Sequence, residues 1–214
     1  DGKVLHRYLD AIYEEALKKS KDDIWSQIAY LEIEGKQISA AEFRGIAGVM
    51  LAGGRDTVVK LFTGIVWHFG KKPQDLQLLR TNPELMGAAI QEFLRFLTPL
   101  PVMNRTLVPE SSTAELPDDR YVGISFISGN FDETVYTNPF EIDFNRGRNP
   151  HLSFGFGPHT CLGNHIAEIE ARVFLEVILN SGLNWKVTTE DIRYHQVPYL
   201  KVPDHFGSVK ISRT

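Results

Sequence analysis

One cysteine occurs in the 214 residues, and it sits in an unusual setting. Cys161 lies in FGFGPHTCLG, Phe154 to Gly163, where glycines lead up to the sulfur and a helix-like pattern starts directly after it. At the end of a loop and ahead of a helix, unpaired backbone N–H groups and the helix dipole favour a thiolate. A thiolate acts as a nucleophile or as a metal ligand. A nucleophile needs a base, and His159 and His165 are the nearby candidates, but His159 is two residues away in the same loop and needs a special turn to serve. Zinc wants four ligands, more than one sulfur supplies. Haem iron takes a single axial protein ligand, so one cysteine suffices. The plain alternative is a small buried apolar side chain.

Three further groups of residues have chemical potential. AGGRDT, Ala52 to Thr57, interrupts a helical pattern with two glycines, each costing about 1 kcal/mol relative to alanine. Bare backbone there lets something flat approach. Asp56 and Thr57 follow, an acid beside an alcohol that could relay a proton; the alternative is a kink with a solvated carboxylate. EFLR places Glu92 and Arg95 at i and i+3 on one helix face, a pairing common on surfaces. Arg105 stands in an apolar, strand-like stretch, either as a solvated edge residue or facing an anion.

The elements that must position these residues are mainly helical. Val4, Leu5, Tyr8, Leu9, Ile12, Tyr13, Ala16 and Leu17 recur at helical spacing and predict one buried face. A shorter helix is expected around Ile24–Leu31, broken by EGKQ. Ser39 and Glu42 form a capping box, and Gly70 ahead of Pro73 marks a stop. Between them roughly thirty residues without proline predict one helix of unusual length. PQDLQLLRTN predicts a short helix and NPELMGAAIQEFLRFL another, with Asn82 as N-cap and Pro83 in the first turn. Val102–Leu107 and Tyr121–Ile127 read as strands. Helix returns after Gly163 with Ile166, Ile169, Val173, Phe174, Val177 and Ile178 on one side, and VPYLKVPDHFGSVKIS suggests a final hairpin. The fold class is mainly α with a minor β part, with no internal repeat and no linker.

Composition narrows the partners. With 43% hydrophobic residues the chain can bury a real core. Twenty-three basic against 27 acidic residues give −4 with no long run of either sign, which argues against nucleic acid as a partner. A lone cysteine forms no internal disulfide. DGKVLHRYLDAIYEEALKK has no apolar signal core, and windows such as IAGVMLAGG are too short to span a bilayer, so a soluble, cytoplasmic chain without membrane partners is expected.

Taken together the motifs resemble the cytochrome P-450 family, the haem-thiolate monooxygenases, and especially its soluble bacterial members. FGFGPHTCLG is similar to the haem-binding signature, with Phe154, Gly155, Gly157, His159, Cys161 and Gly163 on its patterned positions. GGRDT matches the oxygen-binding groove of the long I helix, EFLR the E-x-x-R of the K helix, and IDFNR the meander, where Arg146 would join Glu92 and Arg95 in a buried ion network. The resemblance implies a single partial domain over 1–214, the C-terminal half of the family fold with its N-terminal half absent: long I helix, K helix, meander, Cys-ligand loop and L helix.

It also implies roles. Cys161 would be the thiolate ligand of haem b (iron protoporphyrin IX). Phe154 would cover that face, while Gly155 and Gly157 allow close backbone approach and Gly163 completes the signature. His159 and Arg105 would bind the propionates. Gly53 would line the oxygen groove, with Asp56 and Thr57 delivering protons for dioxygen activation. The activity implied is hydroxylation or oxidative dealkylation of a small apolar or aromatic substrate, with electrons from NAD(P)H through a ferredoxin or flavoprotein. Arg55, Ile142 and Glu168 depart from the family pattern, and Glu168 would alter the face that meets the electron donor. Because only half the family fold is matched, the chain reads as a piece of a longer enzyme. A truncated, non-catalytic haem-binding or scaffold remnant is the other reading.

Overall fold

The structure is a computed structural model that describes residues 2–107, 121–195 and 202–214. Its backbone divides into two compact units, Asp1–Asp56 and Thr57–Thr214.

In the first unit, α1 (Gly2–Lys18) and α2 (Ile24–Ala29) precede a minimal hairpin, β1 (Glu32–Ile33) with β2 (Lys36–Gln37), and then α3 (Ala40–Gly53). The stretch EGKQ therefore does more than break a helix. Glu34 and Gly35 both have positive φ, 52° and 74°, as a two-residue turn matched to strand twist requires. Asp23 caps α2 through the Ser26 N–H, and the Ser39–Glu42 capping box forms reciprocally at the start of α3. The core gathers around Phe43, with Tyr13 and Trp25 tilted against it at 5.3 and 6.0 Å between ring centroids. Within this unit α1 buries only Leu9 and Ala16, while Val4, Leu5, Tyr8 and Leu17 stay exposed. The broad buried face expected of α1 is thus a narrow stripe, because α2 and α3 are its neighbours in the unit and meet one side of it.

The expected single long helix is two. The i to i−4 bond pattern runs to the Gly54 N–H, which donates to the Met50 carbonyl (3.0 Å), and helix resumes only at Asp56, in α4 (Asp56–Lys71). Adjacent glycines supply no side-chain packing to hold the turn, and the break falls on them.

The second unit continues with α5 (Pro73–Thr81), a 3-10 turn (Pro83–Leu85), α6 (Met86–Leu97), β3 (Val102–Thr106), β4 (Tyr121–Ser125), α7 (Phe126–Asn130), α8 (Asn164–Asn180), β5 (Trp185–Tyr194) and β6 (Pro203–Arg213). Asn82 does not cap α6 as expected. Its side-chain amide donates to the Leu78 carbonyl (3.0 Å), closing α5 instead, because the 3-10 turn separates Asn82 from α6. The final hairpin is larger than the sequence indicates: β5 pairs antiparallel with β6, and residues 197–201 of the expected hairpin lie outside the described residues.

The core lies between α4, α5, α6 and α8, with Phe69, Phe93, Leu97 and Leu175 buried and Phe62 stacked on Phe174 at 4.1 Å. Gly64 permits a close crossing of α4 and α6, since a Cβ there would stand 2.5 Å from both Leu97 methyls. On α8 only Ala171 and Leu175 are buried, and Ile166, Ile169, Val173 and Val177 form an exposed apolar row. No helix among the described residues is long and apolar enough to cross a membrane.

Candidate functional site

Glu92 and Arg95, on α6, are both completely buried, so the i, i+3 pair is no surface feature. Their forks meet bidentately, Arg95 Nε to Glu92 Oε2 and Nη2 to Oε1, both at 2.8 Å. The remaining guanidinium hydrogens go to the carbonyls of Asn130 (2.9 Å), Pro139 (2.8 Å) and Glu141 (3.0 Å). Glu92 also accepts from Arg146 Nε (2.9 and 3.0 Å), from the Asp143 N–H (3.0 Å) and from the Asn149 amide (2.9 Å). A buried ion pair holds a fold only when its other hydrogen-bonding capacity is met, and here carbonyls and N–H groups of residues 130–149 meet it. Arg95 also lies over the rings of Phe131 and Tyr136, at 5.3 and 5.1 Å. The network fastens a segment with little regular structure onto a helix. Ile142, the departure in the meander motif, is half-buried against the main core.

That segment leads into the cysteine loop. The Gly155 N–H donates to the Leu152 carbonyl (2.9 Å), and the Cys161 N–H donates to the Phe154 carbonyl (2.8 Å), closing the loop on itself. Gly155 and Gly157 have φ of +72° and +73°, a region that L side chains enter at a cost. A 3-10 turn, Gly157–His159, lies within the closure, and both the N–H and the hydroxyl of Thr160 donate to the Gly157 carbonyl. The sulfur is exposed, and so are its neighbours Phe156 (87%) and Leu162 (93%). Gly163 precedes α8, and a Cβ there would meet only the Cys161 sulfur, at 3.9 Å. The buried-hydrophobe reading of Cys161 therefore fails.

Among the described residues no three His, Cys, Asp or Glu side chains cluster as a metal cage. The donor set at the loop is one soft sulfur, flanked by exposed apolar side chains and bare glycine backbone. That set fits a large, flat, apolar group whose metal needs one protein ligand, and haem is such a group.

The structure brings Phe154, His159, Cys161 and Gly163 into this loop, with His159 exposed and Phe154 half-buried. Arg105 lies on β3 opposite Val122, half-buried, and its Nη1 donates to the Asn104 carbonyl (2.9 Å). Gly53 ends α3 in the first unit, and its absent Cβ would meet nothing within 4 Å. Asp56 is exposed and accepts from Arg55 Nε (2.8 Å); that hydrogen bond and charge hold its carboxyl below the ordinary range. Thr57 is half-buried and opens the second unit.

Sequence reasoning missed a second polar set beneath the loop. His151 Nδ1 accepts from the Ser153 N–H (3.3 Å), which puts its proton on Nε2, facing Gln91 Oε1 at 2.8 Å. Gln91 in turn donates to Glu168 Oε1 (3.1 Å), so the departure at Glu168 is tied to the helix before the loop. Burial pushes the His151 imidazole down to about 4. Histidine three residues ahead of Phe154 was the available signal.

Comparison with known proteins agrees with this geometry. The sequence profile of the family described as Cytochrome P-450 matches residues 68–194. The chain is 31% identical over 179 residues to the putative cytochrome P-450 YjiB of Bacillus subtilis (strain 168), covering 83% of this chain and 45% of that one. It is 31% identical over 173 residues to a steroid C26-monooxygenase of Mycobacterium tuberculosis, covering 79% and 46%. The solved structure of a carbohydrate active P-450 superposes with a TM-score of 0.85 at 28% identity, over 99% of this chain and 57% of that one. Cytochrome P-450-153 from Novosphingobium aromaticivorans gives 0.82 at 27%, over 99% and 52%. The fold is that of the cytochrome P-450 structures it superposes on. The chain belongs to the cytochrome P-450 family, and it spans about half the length of the curated relatives it matches.

Proposed function

We propose that this chain is the haem-ligating part of a monooxygenase that inserts one atom of dioxygen into a small apolar or aromatic substrate, by hydroxylation or oxidative dealkylation. For hydroxylation the balance is substrate C–H plus O2, two electrons and two protons giving C–OH and water. The observation that carries the reading is the exposed Cys161 sulfur in a loop closed by its own N–H on Phe154. Haem supplies the iron that binds and activates dioxygen. Cys161 Sγ is its protein ligand and adds negative charge to the metal.

Phe154 would cover the bound group on the Cys161 side, and Gly155, Gly157 and Gly163 keep side chains out of its approach. His159 and Arg105 hold the propionates through their ring and guanidinium nitrogens. Gly53 leaves room for dioxygen. Thr57 Oγ1 passes protons inward, with the Asp56 carboxylate as their source. Arg55 donates to Asp56, and that hydrogen bond and charge hold the carboxyl below the ordinary range. Electrons come from NAD(P)H through a ferredoxin or flavoprotein that docks near Cys161, where Glu168 adds an acidic group.

Reduction of the haem-loaded protein under carbon monoxide tests the reading. A strongly red-shifted Soret band that disappears in Cys161→Ser supports it. A band unaltered by that substitution overturns it. The remnant reading predicts that ligation without substrate turnover or coupled NAD(P)H consumption in the intact protein.

A further inference from the structure

Asn130, the last residue of α7, is completely buried and far from any surface role. Its Oδ1 accepts from the Leu152 N–H at 2.6 Å, which fixes the orientation of the amide. Its Nδ2 faces three acceptors: Thr98 Oγ1 and Ser153 Oγ, each at 2.9 Å, and the Arg95 carbonyl at 3.3 Å. Ser153 Oγ donates onward to the Leu94 carbonyl (2.6 Å). Leu94 and Arg95 lie in the last turn of α6, where the Leu94 carbonyl also accepts from the Thr98 N–H (3.0 Å) and the Arg95 carbonyl from Thr98 Oγ1 (2.7 Å), so Thr98 and this bridge close the helix end together. Thr98, which closes that turn, is buried with φ of +36°, a conformation costly for a β-branched residue and held only by its surroundings. One amide thus ties the strained end of the ion-network helix to Leu152 and Ser153. The next residue is Phe154, whose carbonyl takes the Cys161 N–H.

We propose that Asn130 is a positioning residue for Cys161. Through Leu152 and Ser153 it fixes the Phe154 carbonyl, and through that carbonyl the backbone from which the sulfur projects. Only the consequence for iron ligation rests on the function proposed above; the consequence for the Cys161 backbone does not. A fully used buried amide has no apolar substitute, since its partners are left unsatisfied when it goes.

The test compares Asn130→Leu with Leu76→Ala, a core truncation on α5 chosen as a stability control, and with Ser153→Ala as a milder cut in the same bridge. Backbone hydrogen exchange is read in the haem-free protein, and the carbon monoxide spectrum in the haem-loaded protein. For Asn130→Leu, exchange at the Leu152 and Cys161 amides should rise by about tenfold or more, the expected size of one lost buried hydrogen bond. Amides of α5 should be unchanged. Ser153→Ala should show the same pattern more weakly and still folds if Asn130→Leu does not. In the spectrum, Asn130→Leu should lose more of the red-shifted band than Leu76→Ala at equal loss of thermal stability. Equal spectra at equal stability, or Cys161 exchange unchanged in both bridge variants, overturn the proposal. If Cys161→Ser leaves the wild-type spectrum unaltered, the functional reading fails, while the exchange result still decides whether Asn130 positions Cys161.

Discussion

The Cys161 N–H and the Phe154 carbonyl stand 2.8 Å apart at the two ends of an eight-residue loop, so the loop around the sulfur is closed by its own backbone. The closure is possible because Gly155 and Gly157, inside the span, take positive φ. It explains how one exposed cysteine holds a defined direction without packing.

Replacement of Gly155 or Gly157 with alanine should therefore disturb ligation. The nearest atom to a Cβ at Gly155 is 3.6 Å away and none lies within 4 Å at Gly157, so the penalty is conformational and not steric. Each substitution should cost about 1–2 kcal/mol, read as lower haem occupancy per folded protein at limiting haem. Unaltered occupancy in both variants would show that the loop tolerates another closure.

Truncating the buried network should cost much more. Arg95→Met leaves Glu92 with Arg146 alone as a charged partner and strands the carbonyls of Asn130 and Pro139, while the Glu141 carbonyl keeps Arg146 Nη2. Denaturant unfolding should show a loss of about 3–5 kcal/mol, the range for removing one partner of a buried ion pair. A loss below about 1 kcal/mol, the range of surface pairs, would contradict the network's structural role.

His151 gives the fold a pH dependence of definite sign. Its native value of about 4 lies below the 6.5 of an unperturbed imidazole, with burial as the main cause and Glu168 opposing it. As pH falls from about 6.5 toward 4 the unfolded chain takes up a proton that the native one refuses, so stability drops at about 1.4 kcal/mol per pH unit, or about 3 kcal/mol in all. Above 6.5 the residue contributes no slope. Unfolding curves of His151→Gln between pH 4 and 7 should be flatter than wild type by this amount; parallel curves would remove the assignment.

At the crossing of α4 and α6, Gly64→Ala should lower stability by about 1–3 kcal/mol, because Leu97 is buried and cannot yield to the added methyl. Thermal unfolding of Gly64→Ala with and without Leu97→Val checks it: part of the loss should return in the double variant.

Local signals exposed some features and hid others. The capping box at Ser39, the helices over 73–81 and 86–97 and the glycine-rich turn before Cys161 were legible because each rests on residues adjacent in sequence. The break at Gly54–Arg55 was not, since periodicity continues across it and only packing decides whether the hydrogen bonds do. Spacing alone made Glu92 and Arg95 an ordinary surface pair, and it was the resemblance of EFLR and IDFNR to family motifs that pointed to their burial with Arg146. Asn130 carries no local pattern, and His151 offers only its place three residues ahead of Phe154. Their importance comes from partners 22 to 60 positions away, which no spacing rule reaches. The exposed row Ile166, Ile169, Val173 and Val177 shows the converse case, a clear apolar stripe that stays uncovered.

The most direct measurement is the ferrous carbon monoxide spectrum of haem-loaded wild type beside Cys161→Ser. A strongly red-shifted Soret band is expected in the first and its loss in the second. The same spectrum in both would mean that Cys161 does not hold the iron, and the proposed function would fall with it.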